Sequence, residues 1–389
     1  MIKDQAARLI TTYREHQSRR FLPLNRLTIN RSAVKNNVKL LKNISPGCGL
    51  IPVLKANAYG HGIGKMAEIL NGEDCDFVAV DGYFEAAQIR RVTKHRLLVL
   101  GYINPKNVPH LDTKHCSFVV QDVQSLEAFG RLKKPVKIHV ELNTGMNRLG
   151  LKPKELDSYL KAFQKYGNLE LEGVMTHLAD ADNPEDSTFT TTQVKLFDEG
   201  IQKIRRAGFT PGYAHIANTA GFSKVRSKYQ NSARIGIGLY GINPLASSDP
   251  HHAELDDLQP VAQLQSTMIR IIDLLPGEAV SYNMTFKATK PTRVGVLPLG
   301  YYEGVPRELS NKGYVSSGNK MLPIVGRVCM NHTLIDLQDS GLKVGDEVVV
   351  ISSNRHQANS VAQISAKSGL FSYNLLTNLN STIRREIIY

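Results

Sequence analysis

The chain has 389 residues, 42% of them hydrophobic, so it can bury a large core and form two domains. We expect no membrane span and no signal peptide, because no apolar run is long enough and the chain starts with Lys3, Asp4 and Gln5. The formal net charge is +13, but the basic residues are spread along the chain, which argues against a nucleic-acid partner. The four scattered cysteines lack the spacing of a zinc site and favour a reducing compartment. These features together predict a cytoplasmic protein that binds neither a membrane nor a metal.

The first 18 residues place apolar side chains at helical spacing between charged ones. This pattern predicts a short amphipathic helix within an N-terminal extension, residues 1–25. Its apolar face is too weak for a membrane anchor, so docking onto the protein is the favoured interpretation.

Short apolar runs then alternate with helix-like stretches through residue 250. Five helical stretches between the runs leave enough chain for right-handed crossovers between parallel strands. The alternation predicts an α/β fold in which residues 26–250 form a (β/α)8 TIM-like barrel. The eight runs are Leu50–Leu54, Asp76–Val80, Leu97–Leu100, Ser117–Val120, Val136–Glu141, Leu171–Thr176, Tyr213–Ile216 and Arg234–Leu239, and the helical stretches are Gly64–Leu70, Tyr83–Val92, Val123–Leu132, Lys154–Phe163 and Thr192–Ala207.

The pattern changes after a segment rich in Pro, Ser, Asp and His, residues Asn243–Asp257, which we interpret as a linker. Beyond it, strand-like runs are separated by turn residues such as Pro276-Gly277 and Gly345-Asp346. We therefore predict a mainly β C-terminal domain over residues 251–389. The runs are Ala262–Leu275, Ala279–Ala288, Thr292–Leu299, Met321–Met330, Thr333–Leu337 and Glu347–Ser352.

The first apolar run ends on a lysine, in the sequence Val-Leu-Lys-Ala-Asn-Ala-Tyr-Gly-His-Gly that contains Lys55. The end of a barrel strand is where active sites of this fold are built. A lysine amine placed there can attack an aldehyde and form a covalent imine. By pattern alone, however, a surface lysine is the favoured interpretation.

The loops after the seventh and eighth predicted strands are candidates for a phosphate site. The first contains His215-Ile-Ala-Asn-Thr-Ala-Gly221 and the second Arg234-Ile-Gly-Ile-Gly238. These loops of a barrel commonly bind phosphate through backbone N–H groups, and glycine lets the backbone approach closely. Taken alone, a glycine-spaced strand indicates only close packing.

Together with the Lys55 stretch, these motifs resemble those of the alanine racemase family, and the resemblance extends from about Arg26 to the end of the chain. It implies that Lys55 holds pyridoxal 5′-phosphate covalently and later serves as one of two acid/base groups at the substrate α-carbon. The same resemblance implies cofactor contacts from Tyr59, His177, Asn218, Thr219, Arg234, Gly236, Ile237 and Tyr373.

Arg234 is the residue that, by this resemblance, donates to the pyridine nitrogen. A guanidinium does not release its proton, so the ring nitrogen stays unprotonated and withdraws electrons weakly. That favours proton exchange over decarboxylation or transamination. Arg234 therefore argues against a decarboxylase of similar layout, in which an acidic group faces the nitrogen.

Racemisation needs an acid/base group on each face of the α-carbon. The family's catalytic tyrosine matches Tyr282, in Val-Ser-Tyr-Asn-Met-Thr of the β domain. A free tyrosine is a poor base at neutral pH, so positive charge is required nearby, and His177 could link Tyr282 to Arg234. The resemblance implies that Tyr282 reaches the cofactor of a second subunit, so we expect a homodimer with composite active sites.

The expected substrate contacts lie in three further motifs. Arg148, in Asn-Thr-Gly-Met-Asn-Arg, offers a fork suited to a carboxylate, and the Met330 backbone N–H would assist it. Tyr301 resembles the residue that lines the family's access channel. Without the resemblance, the Tyr301 segment would be interpreted as an ordinary junction between a strand and a turn.

Three positions depart from the family pattern. Many members carry a lysine, modified to a carbamate, seven residues before the arginine, where this chain has Glu141. We expect Glu141 to supply a carboxylate directly, without carbon dioxide. Asn143 replaces a common aspartate and Asn331 follows Met330, which leaves the substrate range open.

The predicted function is the interconversion of L-alanine and D-alanine, which supplies D-alanine for peptidoglycan. The main alternative is a racemase of broader range, acting for example on serine or basic amino acids. A non-catalytic pyridoxal phosphate carrier would explain Lys55 but not Tyr282. A nucleic-acid-binding protein rests on the net charge alone.

Overall fold

A computed structural model of the chain describes residues 21–389. The strands of its first part are β1 (Asn25–Asn30), β2 (Gly49–Pro52), β3 (Val78–Val80), β4 (Leu97–Val99), β5 (Cys116–Val120), β6 (Val136–Glu141), β7 (Leu169–Met175), β8 (Tyr213–His215) and β9 (Ser232–Ile235). Eight of them form a parallel sheet in the order β2-β9-β8-β7-β6-β5-β4-β3. A parallel bridge between Val53 and Ala79 joins its two edges. The predicted α/β class and eight-stranded barrel are confirmed.

Helices connect these strands, and five of them lie where the sequence predicts helical stretches, whereas the helix between β1 and β2 was not predicted. They are α1 (Arg31–Ile44), α2 (Ile63–Leu70), α3 (Tyr83–Ile89), α4 (Val123–Gly130), α5 (Leu156–Phe163), α6 (Thr188–Arg206) and α7 (Thr219–Phe222). The longest, α6, buries Phe197, Ile201 and Ile204 at the spacing of one helix face. Between β4 and β5 a 3₁₀ helix, Pro105–His110, takes the place of an α-helix. Proline within that segment removes a backbone donor, which explains the change.

The second part of the chain is mainly β, as predicted. Its strands are β10 (Ala262–Thr267), β11 (Arg270–Leu274), β12 (Ala279–Val280), β13 (Phe286–Lys287), β14 (Thr292–Leu297), β15 (Tyr314–Ser317), β16 (Lys320–Pro323), β17 (Thr333–Asp336), β18 (Glu347–Ile351) and β19 (Arg384–Ile388). They form a six-stranded sheet β16-β15-β18-β10-β1-β19, a three-stranded sheet β11-β14-β17 and the β12-β13 hairpin.

Strand β1 lies within the range predicted for the barrel, yet it pairs in the sheet of the second domain. It runs antiparallel to β10 and parallel to β19, where Leu27 opposes both Leu264 and Arg385. The chain therefore starts its described part in the second domain, crosses into the barrel through α1 and returns after β9. Hydrophobic periodicity identifies a strand but not its partner, so the sequence did not separate β1 from the barrel.

Two short helices, α8 (Val361–Ser368) and α9 (Ser372–Thr377), precede β19, and the sequence analysis did not predict them. The predicted linker Asn243–Asp257 contains a 3₁₀ turn, His252–Leu255. The helix predicted for residues 1–18 lies outside the described residues. Across residues 21–389, the structure has no helix both long enough and apolar enough to span a membrane.

Candidate active site

Lys55 lies where the chain leaves β2 at the C-terminal mouth of the barrel. Its ammonium nitrogen Nζ is 3.8 Å from Oδ1 of Asp81, the residue that follows β3. The lysine side chain is 39% exposed, so its amine is open to a ligand in the mouth. The strand end thus places Lys55 as the barrel geometry requires.

The turn that follows Lys55 is left-handed. The φ angles of the next four residues, through Tyr59, lie between 50° and 55°. For residues other than glycine this conformation costs about 1–2 kcal/mol each. Surrounding contacts must therefore hold the turn, and its one-turn spacing brings Lys55 and Tyr59 to the same side.

Tyr59 faces the loop that follows β9. A Cβ atom on Gly236 would lie 2.6 Å from the Tyr59 hydroxyl oxygen, so only glycine fits there. The Tyr59 ring contacts the ring of Tyr373, on α9, at a centroid distance of 5.9 Å. Burial raises the pKa of Tyr59 and raises that of Tyr373 to about 12, so both hydroxyls remain protonated donors at neutral pH.

The loop after β8 lies beside the loop that follows β9. The Asn218 side chain accepts from the Gly221 N–H and starts α7, and the hydroxyl of the buried Thr219 accepts from the Gly238 N–H at 3.3 Å. Ile237 begins the 3₁₀ helix Ile237–Tyr240 directly after Gly236. Hydroxyl groups and closely approaching backbone are the groups that bind phosphate, and these loops bring them together.

Arg234, 3% exposed at the end of β9, is held by acceptors on both terminal nitrogens. Nη1 donates to Nδ1 and to the carbonyl oxygen of His215, at 2.9 and 2.6 Å. Nη2 donates to the Thr176 carbonyl at 2.6 Å and to Nδ1 of His177 at 3.2 Å. Within residues 21–389, Nε–H has no hydrogen-bond partner, so it is the donor that remains for a ligand.

The charge around Arg234 follows from its burial. Burial lowers the pKa of Arg234 to about 10, an effect that the nearby Glu141 carboxylate partly offsets, so the guanidinium stays charged at neutral pH. Burial, followed by the charges of Arg234, Arg148 and Lys55, lowers the pKa of His177 to about 3. His177 is therefore neutral, and it accepts from Arg234 through Nδ1 and carries its proton on Nε2.

A buried chain of hydrogen bonds continues from Arg234 across the barrel. Nε2 of His215 lies 2.8 Å from Nδ1 of His139, and Nε2 of His139 lies 3.2 Å from Oε2 of Glu172. Because Arg234 donates to His215, each histidine must carry its proton on Nε2 and donate toward Glu172. Burial alone would raise the pKa of Glu172, but hydrogen bonds from His139, Ser117 and Arg96 lower it. The relay therefore ends on a carboxylate that stays ionised.

The sequence analysis missed this relay. His139 and Glu172 lie inside apolar strands, β6 and β7, and both are at most 5% exposed. Polar side chains within a buried strand must be paired, so their positions were a usable signal.

Glu141 and Arg148 differ in their surroundings. Glu141 ends β6 and is 5% exposed, whereas Arg148 is exposed. Burial raises the pKa of Glu141, and the charges of Arg234 and Arg148 act in the opposite direction. No ion pair within 4.0 Å joins Glu141 to Arg148 in the described part of the chain. The carboxylate thus lies in the field of both arginines without direct contact with Arg148.

Tyr282, Tyr301 and Met330 form a second group, on the surface of the β domain. Their exposed fractions are 65%, 45% and 54%. Backbone contacts join their loops: the Tyr301 N–H donates to the Cys329 carbonyl at 3.0 Å, and the Ser281 hydroxyl donates to the Arg327 carbonyl at 2.6 Å. The structure thus assembles predicted residues into two groups, one at the barrel mouth that includes Lys55, Arg234 and Tyr373, and an exposed one on the β domain.

No hydrogen bond, ion pair or ring contact between described residues joins the exposed group to Lys55 or Arg234. The link from His177 to Tyr282 is therefore not made within one chain. Within one chain the exposed group therefore lies apart from Lys55 and Arg234.

Two family models match the chain. One, described as alanine racemase, N-terminal domain, matches residues 29–244, and the other, alanine racemase, C-terminal domain, matches residues 261–387. Together these matches cover nearly all of the described residues.

Individual relatives agree with the family models. An alanine racemase from Francisella philomiragia is 31% identical over 372 residues, which are 94% of this chain and all of the relative. The crystal structure of alanine racemase from Bacillus anthracis with bound L-Ala-P superposes with a TM-score of 0.86 at 28% identity, over 95% of this chain and 96% of that one. The alanine racemase from Bartonella henselae with covalently bound pyridoxal phosphate gives 0.81 at 25% identity, over 94% and 100%.

Proposed function

The chain belongs to the alanine racemase family, and from that premise we propose that it is an isomerase that interconverts L-alanine and D-alanine with pyridoxal 5′-phosphate. The observation that carries the proposal is the convergence of Lys55, Tyr59 and Arg234 at one barrel mouth. Among the described residues, the Nε–H of Arg234 is the guanidinium donor that remains for a ligand. We place the reaction in the cytoplasm, where it supplies D-alanine for peptidoglycan.

The barrel mouth has the groups that pyridoxal phosphate requires. When bound, the cofactor supplies an aldehyde for the Lys55 amine and a ring that withdraws electrons from the substrate α-carbon. Tyr59, Thr219 and Tyr373 offer hydroxyls for its phosphate, and Asn218 fixes the loop. The backbone of Gly236 and Ile237 completes the cradle, which a Cβ on Gly236 would fill.

Arg234 selects the reaction. Its Nη groups are occupied, so Nε–H is the donor left for the ring nitrogen. The guanidinium keeps its proton, so Arg234 would leave the ring nitrogen of a bound cofactor unprotonated and its electron withdrawal weak. Arg234 would in this way favour proton exchange over loss of the carboxylate.

Two proton-carrying groups must face opposite sides of the α-carbon. We assign them to the Lys55 amine and the hydroxyl of Tyr282 from a second copy of the chain. The exposure of Tyr282 supports this assignment, since its hydroxyl is available to another molecule. The active unit is then a homodimer with two equivalent composite sites, as expected for a closed twofold assembly.

The substrate carboxylate is assigned to Arg148 and to the backbone N–H of Met330, which comes from the second copy with Tyr282 and Tyr301. Arg148 is exposed, and its charge acts on both Glu141 and His177 at the barrel mouth. Tyr301 lines a cavity beside α9, and we assign it to the access path by its match to the family. We assign Glu141 the role of a carboxylate near Arg234 and Arg148, whose charges oppose the effect of burial on its pKa, and this role removes any requirement for carbon dioxide. His177 then joins Arg234 to Tyr282 across the dimer.

The test combines a spectrum with product analysis. The purified protein is examined for an absorption band of bound pyridoxal phosphate, reduced with borohydride and mapped by mass spectrometry. Unreduced protein is incubated with L-alanine and the product is separated on a chiral column. A label on Lys55 and formation of D-alanine are expected. Bound cofactor without D-alanine, but with racemisation of serine, lysine or arginine, would move the proposal to a broader-range racemase, and absence of cofactor would overturn it.

A further inference from the structure

The left-handed turn Lys55–Tyr59 is held by side chains that lie outside the cofactor site. At its start, Oε1 of Glu85 accepts the Ala56 N–H at 2.7 Å, while Oε2 accepts the Asp81 N–H at 2.9 Å. One carboxylate therefore ties the turn to the end of β3. A carboxylate with two backbone donors is well satisfied and fixes both segments.

At the end of the turn, His61 binds the last carbonyl oxygens. Its Nδ1 lies 3.1 Å from the Ala58 oxygen and 2.9 Å from the Tyr59 oxygen. Both partners are acceptors, so Nδ1 must carry the proton. His61 is 1% exposed and packs on the ring of Tyr240 at a centroid distance of 4.4 Å, so it cannot turn away from the turn it caps.

Arg385, from β19, makes the third contact, and it uses all five N–H donors on backbone carbonyls. Nε and Nη2 donate to Gly60 at 3.0 and 2.8 Å. The remaining donors bind Leu379, Asn380 and Ile383 at 2.7–3.1 Å. No carboxylate lies within 4.0 Å of this guanidinium among residues 21–389. Among the described residues, the guanidinium therefore joins Gly60 to the segment that follows α9.

The two segments that Arg385 joins carry Tyr59 and Tyr373. A Cβ on Gly60 would lie 1.9 Å from the Leu376 oxygen of α9, so the turn and the helix are in direct contact. A Cβ on Gly62 would lie 2.6 Å from Cδ of Arg385, so the arginine needs glycine beneath it. Any loosening of Arg385 would therefore change the spacing of the two tyrosine rings.

We propose that Arg385 is a positioning residue that, with Glu85 and His61, sets the left-handed turn against α9 and so fixes the two tyrosine hydroxyls for one phosphate group. The inference rests on the proposed function, because it needs a phosphorylated cofactor at the barrel mouth. Arg385 acts through the backbone and touches no part of the cofactor.

The test measures how much the phosphate contributes to binding. Apoprotein is titrated with pyridoxal 5′-phosphate and with pyridoxal. The quantity compared between variants is the ratio of the dissociation constant for pyridoxal to that for pyridoxal 5′-phosphate. Arg385→Met should lower this ratio about 10- to 100-fold, and Arg385→Lys, which keeps the charge and some donors, should lower it less. Arg384→Met, a change of the neighbouring β19 residue that pairs with Glu386, is the control and should leave the ratio unchanged.

The outcomes separate the two proposals. If wild-type apoprotein binds neither compound, the proposed function fails. If wild type prefers the phosphorylated compound and Arg385→Met keeps the same ratio, Arg385 is only structural and the inference fails, whatever the change in thermal stability. Should Arg385→Met not fold, Arg385→Lys and Glu85→Gln decide in the same assay, and an unchanged ratio in both would overturn the inference.

Discussion

The barrel mouth and the exposed surface of the β domain carry the two groups of site residues, and they differ in how completely one chain surrounds them. Arg234 is 3% exposed and is fixed by five hydrogen-bond acceptors. Tyr282 is 65% exposed and its hydroxyl has no hydrogen-bond partner in the described part of the chain. A single chain thus preorganises the proposed cofactor groups, whereas the proposed second proton carrier, Tyr282, depends on what contacts the β domain.

The largest expected effect follows from removing the covalent anchor. Lys55→Ala should lower racemisation by about 10⁴-fold or more, since it removes both the cofactor attachment and one proton carrier. Chiral analysis of alanine measures the effect, with Lys65→Ala on α2 as the control. Residual activity within tenfold of wild type would show that the barrel mouth is not the reaction centre.

Tyr282→Phe removes only the hydroxyl on the exposed side. Racemisation should fall about 10²- to 10⁴-fold, the range for loss of a general acid/base. The cofactor spectrum and thermal stability should stay unchanged because the side chain is mostly exposed. Tyr102→Phe, a similarly exposed tyrosine of the barrel domain, serves as control. Loss of the cofactor band in Tyr282→Phe would contradict the division between the two groups.

Glu172→Gln tests the relay behind Arg234. The amide has a single acceptor oxygen and cannot accept from both His139 and Arg96 as the carboxylate does, so the variant weakens the hydrogen bonds that orient His139, His215 and Arg234. Breaking such a buried pair should cost about 3–5 kcal/mol of unfolding free energy at pH 7. Activity should fall about tenfold through displaced Arg234. The neighbouring surface change Glu170→Gln should alter neither quantity.

The difference in unfolding free energy between wild type and Glu172→Gln should depend on pH. The pKa of Glu172 is lower in the folded protein than the value of about 4.3 in an unfolded chain. Its contribution to stability is therefore complete above that unfolded value and is lost as pH falls through the folded pKa. Denaturant titrations should show the difference between wild type and Glu172→Gln as constant from pH 7 to 5 and shrinking below pH 4.3. A difference that grows on acidification would contradict the ionised relay.

The smallest expected effect concerns Glu141. Glu141→Gln removes the negative charge near Arg148, so KM for alanine should rise about three- to tenfold, which is about 1 kcal/mol of binding, with a smaller change in kcat. Steady-state kinetics in carbon dioxide-free buffer measure both. Unchanged KM and kcat would show that Glu141 has no part in the substrate site.

The sequence predicted the barrel well because strand and helix periods alternate regularly from β2 to β9. Lys55 was recognisable because an apolar run ends on it, and Arg234 because glycines follow it. Tyr282 was identified only through resemblance, since a tyrosine in a β-rich segment has no distinguishing pattern. Strand β1 was not separated from the barrel because its partners β10 and β19 lie more than 230 residues away.

The supporting residues were harder to predict. His61, Glu85 and Arg385 act on backbone groups. The left-handed turn that they hold contains no glycine, the residue that would have indicated this conformation in the sequence. A positive φ in Ala56 or Ala58 follows from tertiary contacts, and local sequence does not encode such contacts. Only the glycines at positions 60 and 62 hinted that the backbone needs room there.

Mixing two inactive variants tests most directly whether the reaction centre is shared between copies. Lys55→Ala and Tyr282→Phe subunits are unfolded and refolded together, and racemisation of L-alanine is measured against each variant alone. A mixed dimer has one intact site, made of Lys55 from one copy and Tyr282 from the other, so an equal mixture should recover about a quarter of wild-type activity. Activity no greater than that of the separate variants, in a sample in which mixed dimers are demonstrated by mass, would contradict the composite site.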